Sequence, residues 1–180
     1  MGKWITCTIG EIGTVVGGGT PLSSEESYYG GDIPWITPKD LSGYRKRCIG
    51  RGERNITTQG YKNSSTIILP KGSVLFSSRA PIGYVAIADT NLCTNQGFKS
   101  IIPNEKIDST FLYYLLKYKS KDIAAQGSGT TFMEISGSAM KEIIIKIPED
   151  IEEQRHIASI LSLIDDKIEL NDAINDYLTA

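Results

Sequence analysis

The chain has 180 residues and a formal net charge of −2, with 40% hydrophobic and 22% charged residues. This length fits one domain of about 150 residues plus an appended element, and the composition is ordinary for a globular protein. No apolar run is long enough to cross a membrane, and the slight acidity excludes a uniformly basic nucleic-acid binder. The three cysteines fit neither a zinc pattern nor a disulfide framework, which favours a reducing, cytoplasmic location.

The charge is unevenly distributed along the chain. Residues 39–62 carry seven basic side chains against Asp40 and Glu53, a local charge of +5. Residues 149–176 carry nine acidic side chains against Arg155 and Lys167, a local charge of −7. Such asymmetry predicts a basic functional surface and an acidic helix that faces a partner or solvent.

The first third of the chain predicts short strands and a long polar connection. Residues 4–9 are rich in strand-forming side chains, residues 11–16 fit either a strand or a short helix, and the glycines at 17–19 begin a loop. Ile33-Pro34-Trp35-Ile36 indicates a short edge strand, because proline cannot donate to a strand ladder. Residues 39–59 are too polar for core and predict a long ordered loop, a type of segment that is often functional.

A β-rich block and a helix follow. Strands are predicted over residues 66–69, 73–77, 83–87 and 98–102. Apolar residues on one face predict a helix over residues 109–121, which Asp108 can cap. A short helical turn at 136–141 and a strand at 142–147 come next. This order predicts an α+β fold, with a mixed, mostly antiparallel β domain and peripheral helices ahead of a long C-terminal coiled-coil helix.

A long C-terminal helix is predicted over residues 151–178, because this stretch contains no Gly or Pro and Pro148 comes just before it. At about 1.5 Å per residue the helix would be roughly 40 Å long. Its apolar residues recur in steps of four and three, as in a coiled-coil seam, and polar residues within the seam would fix register and partner number. The alternative is an amphipathic helix that folds back on its own domain. The seam predicted to mediate dimerisation comprises Ile157, Leu161, Ile164, Ile168, Asn171 and Leu178.

We therefore expect a domain over residues 1–148 and a dimerisation or spacer helix over residues 149–180. The sequence offers no catalytic constellation. His156, the single histidine, fits a surface or interface position better than a general base, and no transition-metal site is indicated. The Gly-rich segment at 17–20 lacks the lysine and spacing of a phosphate-binding loop. We expect no enzymatic activity from this chain.

A set of short segments occurs in a specific order along most of the chain. They are Gly18-Gly19-Thr20-Pro21, Gly31-Asp32-Ile33-Pro34-Trp35-Ile36 with Asp40-Leu41, Pro70-Lys71-Gly72-Ser73-Val74-Leu75-Phe76-Ser77-Ser78-Arg79-Ala80-Pro81-Ile82-Gly83, Thr94-Asn95-Gln96-Gly97-Phe98, Ser128-Gly129-Thr130, Ile145-Lys146-Ile147-Pro148, and Glu153-Gln154-Arg155-His156-Ile157-Ala158 leading into Leu161 and Asp165. Each segment alone is common. In this order and spacing they resemble the DNA-specificity (S) subunit of type I restriction–modification systems.

The resemblance implies a noncatalytic protein in which a target recognition domain reads double-stranded DNA and helices pair as an antiparallel coiled coil. It implies methyltransferase (M) and endonuclease/translocase (R) subunits as partners, with S-adenosylmethionine, ATP and Mg²⁺ bound by those partners. Family members usually hold two recognition domains and two helices, whereas this chain has one of each. It is then either a half-subunit that homodimerises or one half of a longer protein. The alternative function is a noncatalytic protein-interaction module that dimerises through its C-terminal helix.

Phosphate contacts supply most of the affinity for a duplex, and base edges supply the specificity. The cations of residues 39–62 are therefore the first candidates for phosphate contacts, although an Arg there could instead read guanine or the segment could be a solvated loop. Arg79 could contact DNA or pair with an internal carboxylate, and Asn95 and Gln96 could read adenine or stabilise turns. The predicted DNA-binding residues are Lys39, Arg45, Lys46, Arg47, Arg51, Arg54, Ser77, Ser78, Arg79, Asn95, Gln96, Thr130 and Thr131. Trp35 is predicted to be a core residue rather than a stacking platform.

Overall fold

A computed structural model describes residues 2–79, 81–127 and 133–179. The strands are β1 (Trp4–Thr8), β2 (Gly13–Gly17), β3 (Tyr29–Ile33), β4 (Trp35–Ile36), β5 (Cys48–Ile49), β6 (Val74–Ser78), β7 (Ile82–Ala88), β8 (Cys93–Thr94), β9 (Lys99–Pro103) and β10 (Ile144–Pro148). The α-helices are α1 (Ile9–Ile12), α2 (Thr58–Lys62), α3 (Ser109–Ala124), α4 (Gly137–Glu142) and α5 (Ile151–Thr179). Short 3₁₀ helices span Glu26–Tyr28 and Pro38–Leu41. The predicted α+β class is confirmed.

The main sheet has five strands in the order β2-β9-β6-β7-β5. Its pairs are antiparallel except for β5, which runs parallel to β7. The central strand β6 is buried along its whole length. Because side chains alternate across a strand, Val74 and Phe76 enter one hydrophobic core while Leu75 enters the other. The sheet is therefore covered on both faces.

Helix α3 covers the larger of the two cores. Its N-cap Asp108 accepts hydrogen bonds from the backbone N–H groups of Thr110 and Phe111, both at 2.9 Å. Its buried side chains are Phe111, Leu112, Tyr113, Leu116 and Ile123. They pack against one face of the sheet, and α5 then packs on α3.

Two small sheets complete the domain. Strand β1 pairs with β10 in antiparallel register, with Trp4 opposite Pro148, and β4 pairs with β8 in parallel. Trp35 is buried, and its indole Nε1 donates to the Gly19 carbonyl at 3.0 Å. Its ring also meets the Tyr29 ring edge-on. Trp35 is thus a core residue, as predicted.

Helix α5 confirms the helix predicted over residues 151–178. Only its base is buried, at Gln154 and Ala158. Most side chains beyond that base are exposed or only partly covered. No helix in the described part of the chain is both long and apolar enough to cross a bilayer.

Two local predictions differ from the structure, and one point that the sequence left open is resolved. Residues 66–69 do not form a strand: Leu69 makes one isolated bridge to Leu92, and the neighbouring Ile67 and Ile68 are exposed in a connecting segment. Residues 11–16 are both a helix end and a strand, since α1 runs directly into β2. Residues 39–59 are not a single loop, because β5 pairs with β7 inside them.

Candidate nucleic-acid interface

Residues 39–62 are positioned by local hydrogen bonds centred on Asp40. One carboxylate oxygen of Asp40 accepts from the backbone N–H and hydroxyl of Thr37, each at 2.7 Å, which caps the 3₁₀ helix of Pro38–Leu41. The other oxygen accepts from the backbone N–H of Glu53 at 2.7 Å. Asp40 therefore ties both ends of the intervening loop together.

Arg45 and Arg47 lie against the acidic helix α5. Arg45 Nη1 lies 2.9 Å from a carboxylate oxygen of Asp172, and Arg47 Nη2 lies 3.3 Å from one of Asp166. Arg47 Nη1 also donates to the hydroxyl of Tyr114 at 3.3 Å. The hydrogen bond to Asp172 raises the pKa of Arg45 above its ordinary value, so the guanidinium is held as a cation facing α5.

Three other predicted cations have partners inside the same segment or beside it. Lys39 forms an ion pair with Glu53 at 2.7 Å, which raises the pKa of the lysine. Arg54 lies over the ring of Tyr29, with its guanidinium carbon 3.6 Å from the ring centroid. When the side-chain oxygen of the buried Asn55 faces Arg51, it accepts from both Nη2 and Nε, at 2.8 and 2.7 Å.

Lys46 and Lys62 differ from these cations. Both are exposed, and within the described residues neither makes an ion pair. Lys46 lies between the two arginines that contact α5. These two lysines are the members of the basic segment with the fewest competing partners, which suits them to solvent-exposed contacts with an anion.

Ser77 and Ser78 are buried rather than exposed at a strand end. The Ser77 hydroxyl donates to the Pro81 carbonyl at 2.7 Å and accepts from the Tyr84 N–H at 2.8 Å. The Ser78 hydroxyl donates to the Gly97 carbonyl at 3.2 Å. Both hydroxyls stabilise turns of the chain, and neither is accessible to a DNA strand in this conformation.

Arg79 is partly exposed and pairs with Glu134 at 3.6 Å, the internal carboxylate that the sequence left as an alternative. Lys99 reaches the same carboxylate at 3.0 Å. Asn95 accepts from the Gly97 N–H at 2.8 Å and so stabilises a turn, while Gln96 hydrogen-bonds the exposed hydroxyl of Thr20. The two predicted threonines, Thr130 and Thr131, lie outside the described residues.

The predicted seam of α5 is divided between its own domain and solvent. Ile157 packs against the core, and Leu161 lines an apolar groove beside Trp4 and Leu115. The remaining seam residues Ile164, Ile168, Asn171 and Leu178 are exposed.

A second apolar stripe runs along α5 beside that seam. Its positions recur in steps of three and four and comprise Ile160, Leu163, Lys167, Leu170, Ile174 and Tyr177. Its five apolar side chains are between 47% and 83% exposed, so a large part of each side chain remains open to solvent. The stripe shares its spacing with the predicted seam, so spacing alone does not distinguish the two faces of the helix.

The residues that hold the site together were not among those predicted from the sequence. They are Asp40, Asn55, Tyr114, Asp166 and Asp172. The acidic members were visible as the local charge of −7, but their pairing with the basic segment depends on contacts between residues more than a hundred positions apart. Within the described residues, no group of three or more His, Cys, Asp or Glu side chains is arranged to bind a metal ion.

Comparison with known proteins relates the whole chain to one family. The model of the type I restriction modification DNA specificity domain matches residues 1–180. The chain is 51% identical to the type I restriction enzyme MjaIX specificity subunit of Methanocaldococcus jannaschii, covering 97% of this chain and 41% of that protein. It is 32% identical to the EcoR124I/EcoR124II specificity subunit of Escherichia coli, covering 88% of this chain and 40% of that protein.

Solved structures of S subunits have a similar fold. The HsdS subunit from Thermoanaerobacter tengcongensis superposes with a TM-score of 0.69 at 22% identity, over 93% of this chain and 38% of that one. The S subunit from M. genitalium gives a TM-score of 0.71 at 22% identity, over 98% of this chain and 42% of that one. At this identity the likeness concerns the fold. The chain spans about two fifths of the length of the relatives it matches.

Proposed function

Because the chain belongs to the family of type I restriction–modification DNA specificity domains, we propose that it reads double-stranded DNA. It would act as a specificity component that directs methyltransferase and endonuclease subunits to a split target site. The observation that carries the proposal is the concentration of cations on residues 39–62, a segment whose backbone Asp40 ties together between Thr37 and Glu53. Cations on an ordered backbone suit phosphate contacts, which set the register of a protein on a duplex.

In this proposal the chain performs no chemistry itself. The methyltransferase and endonuclease/translocase partners would bind S-adenosylmethionine, ATP and Mg²⁺. Residues 1–148 would form the recognition domain, and residues 149–180 would form the spacer and pairing helix. The exposed lysines Lys46 and Lys62 are the first candidates for phosphate contacts, because they have the fewest partners to give up.

The pairing helix would join two recognition domains. Its second stripe is self-complementary in an antiparallel arrangement: with a two-fold axis between Ile168 and Glu169, Ile160 faces Tyr177, Leu163 faces Ile174, and Lys167 faces Leu170. A two-fold interface requires this kind of self-complementarity. The polar Lys167 near the centre would fix the register.

Such a pair places two recognition domains at opposite ends of a rod about 40 Å long. In a homodimer the two half-sites should then be inverted copies of one sequence, separated by bases that neither domain touches. If the helix instead pairs with a second helix of a longer chain, the two half-sites would differ.

The proposal is tested by selecting duplexes from a random pool, with and without M subunits, and by measuring binding of the selected duplex by fluorescence anisotropy across a salt series. Lys46→Ala with Lys62→Ala should weaken binding on selected and random duplexes alike, and should lower the salt slope by about one unit per lost contact. Lys119→Ala with Lys121→Ala on α3 removes the same charge elsewhere and serves as the control.

A chain that enriches no duplex, alone or with M subunits, would contradict the proposal. The exposed apolar stripe of α5 would then support the alternative, a protein-interaction module without DNA function.

A further inference from the structure

One face of α5 carries a row of carboxylates. Asp165, Glu169, Asp172 and Asp176 follow one another at intervals of four, three and four residues, which places them on a single face of a helix. This face is turned toward the domain, since Asp165 accepts a hydrogen bond from the Tyr114 hydroxyl at 2.8 Å. Asp166 flanks the row and reaches Arg47.

The row faces three consecutive cations, Arg45, Lys46 and Arg47. They stand just before β5, whose pairing with β7 anchors the end of their loop. Arg45 reaches Asp172 at 2.9 Å, and the side chain of Arg47 is 21% exposed between Asp166 and Tyr114. The contact therefore joins the most basic stretch of the chain to its most acidic helix.

Charge rather than packing holds this contact together. Two open clefts of about 470 and 650 Å³ separate the loop from α5, and both are lined by Tyr44, Arg45, Lys46 and Asp172. The Asp166 and Asp172 carboxylates are 57% and 35% exposed. Each pair has one side open to solvent, Arg45 at 76% exposed in the first pair and Asp166 in the second. Ion pairs that solvent reaches are screened by salt, so an incoming polyanion can displace them.

A DNA strand is such a polyanion, because it presents closely spaced phosphates. We infer that the acidic row of α5 is an internal competitor for DNA phosphates, which holds Arg45 and Arg47 in the DNA-free chain and releases them to a bound duplex. This inference rests on the proposed function. It assigns to Asp166 and Asp172 a role in setting DNA affinity, although neither residue would touch the DNA.

The inference predicts that the basic and acidic sides of these two ion pairs affect DNA affinity in opposite directions. Arg45→Ala with Arg47→Ala should weaken binding of the selected duplex, because two phosphate contacts are lost. Asp166→Asn with Asp172→Asn should strengthen it by about threefold to tenfold, because the arginines no longer have to be released. If the contact merely stabilised the domain, both double variants would change binding in the same direction.

The control is Glu105→Gln with Glu142→Gln. It removes two negative charges that lie away from the loop, at the turn before α3 and at the end of α4, and so corrects for the general effect of net charge. Binding is measured by anisotropy at several salt concentrations, with thermal unfolding of each variant as a folding check. If the Asn variant binds no more tightly than this control, the inference is overturned.

A charge swap gives a second, independent measurement. Arg45→Asp with Asp172→Arg restores opposite charges across the contact but moves the cation onto α5, so binding should stay weak. Recovery of wild-type binding by the swap would show that the contact only orients the domain, and would overturn the inference. Failure of the wild-type chain to bind any duplex, with or without M subunits, would instead contradict the proposed function.

Discussion

The side-chain oxygen of Gln154 accepts a hydrogen bond from the backbone N–H of Asp108 at 3.0 Å. The same Gln154 amide donates to the carbonyls of Lys106 and Pro148, at 3.0 and 2.9 Å, and its residue is fully buried. Asp108 in turn caps α3. One glutamine thus joins the start of α3, the end of β10 and the base of α5, which sets the direction in which α5 leaves the domain.

Gln154→Leu should lower the free energy of unfolding by about 2–4 kcal/mol. It leaves the buried carbonyl of Pro148 without its partner, together with the partly buried N–H of Asp108 and carbonyl of Lys106. Chemical denaturation measures the effect. Gln126→Leu is the control, since the side-chain hydrogen bond of this exposed residue within the described part of the chain goes to the Asp122 carbonyl of α3. Its change should stay within about 0.5 kcal/mol. Equal effects of the two variants would mean that Gln154 does not join these elements.

Gly18→Ala should destabilise the fold by about 1–3 kcal/mol, because a Cβ at this position would collide with the carbonyl oxygens of Thr94 and Asn95. The Thr94 carbonyl also accepts a hydrogen bond from the backbone N–H of Gly19 at 2.9 Å. The adjacent Gly17→Ala is the control: no described atom lies within 4 Å of its Cβ, so its effect should be below about 1 kcal/mol. Thermal unfolding of both variants tests whether the Gly-Gly-Thr-Pro motif is structural. A tolerated Gly18→Ala would contradict this.

Alkaline pH should destabilise the protein through Cys93. Burial raises the pKa of its thiol from 9.0 to about 11, and a hydrogen bond with Thr66 only partly opposes the shift. Because the folded pKa lies above the unfolded one, this stabilisation is complete below about pH 9 and is lost as pH rises toward 11, at roughly 1.4 kcal/mol per pH unit.

The Cys93→Ala variant isolates this contribution, because it lacks the thiol but keeps every other alkaline group. Denaturation curves of both proteins between pH 8 and pH 11 give the difference in free energy of unfolding. This difference should shrink as pH rises. A difference independent of pH would show that the thiol titrates alike in the folded and unfolded chains.

Leu163→Glu with Ile174→Glu should convert a dimer into a monomer, since both residues face each other in the antiparallel pairing proposed for the second stripe. Ile164→Glu with Leu178→Glu introduces the same charge into the exposed part of the predicted seam and is the comparison. Light scattering coupled to size exclusion measures the mass of each. If Leu163→Glu with Ile174→Glu stays dimeric while Ile164→Glu with Leu178→Glu becomes monomeric, the interface is the predicted seam instead. A monomeric wild-type chain would contradict homodimerisation.

The sequence predicted the long elements well because their signals are local. Helix α5 lacks Gly and Pro over its whole length, and α3 carries its own cap in Asp108. Strand β5 was missed because it has only two residues, which are held by parallel pairing with β7, a long-range contact without a local pattern. The strand predicted at residues 66–69 satisfied β-propensity, but it lacks a continuous partner strand, and tertiary context decides such cases.

The sequence predicted which segments of the candidate site are charged, but it did not predict which side chains contact each other. Counting charges located both the basic segment and the acidic helix. Nothing local indicates that Arg47 meets Asp166, or that Arg51 faces Asn55, because these contacts depend on how the chain folds. The same limit applies to Ser77 and Ser78, whose polarity indicated contact with a ligand although their hydroxyls stabilise buried turns.

The antiparallel pairing of β1 with β10 places Trp4 opposite Pro148, so the chain enters and leaves this unit at one corner, directly below α5. A unit whose two ends meet can be exchanged for another of different surface without changing the path of the helix that follows. Under the proposed function, recombination between genes at these two points would alter which bases are read while preserving the distance between half-sites. If the chain has that function, the pairing of β1 with β10 would make the unit interchangeable as a module.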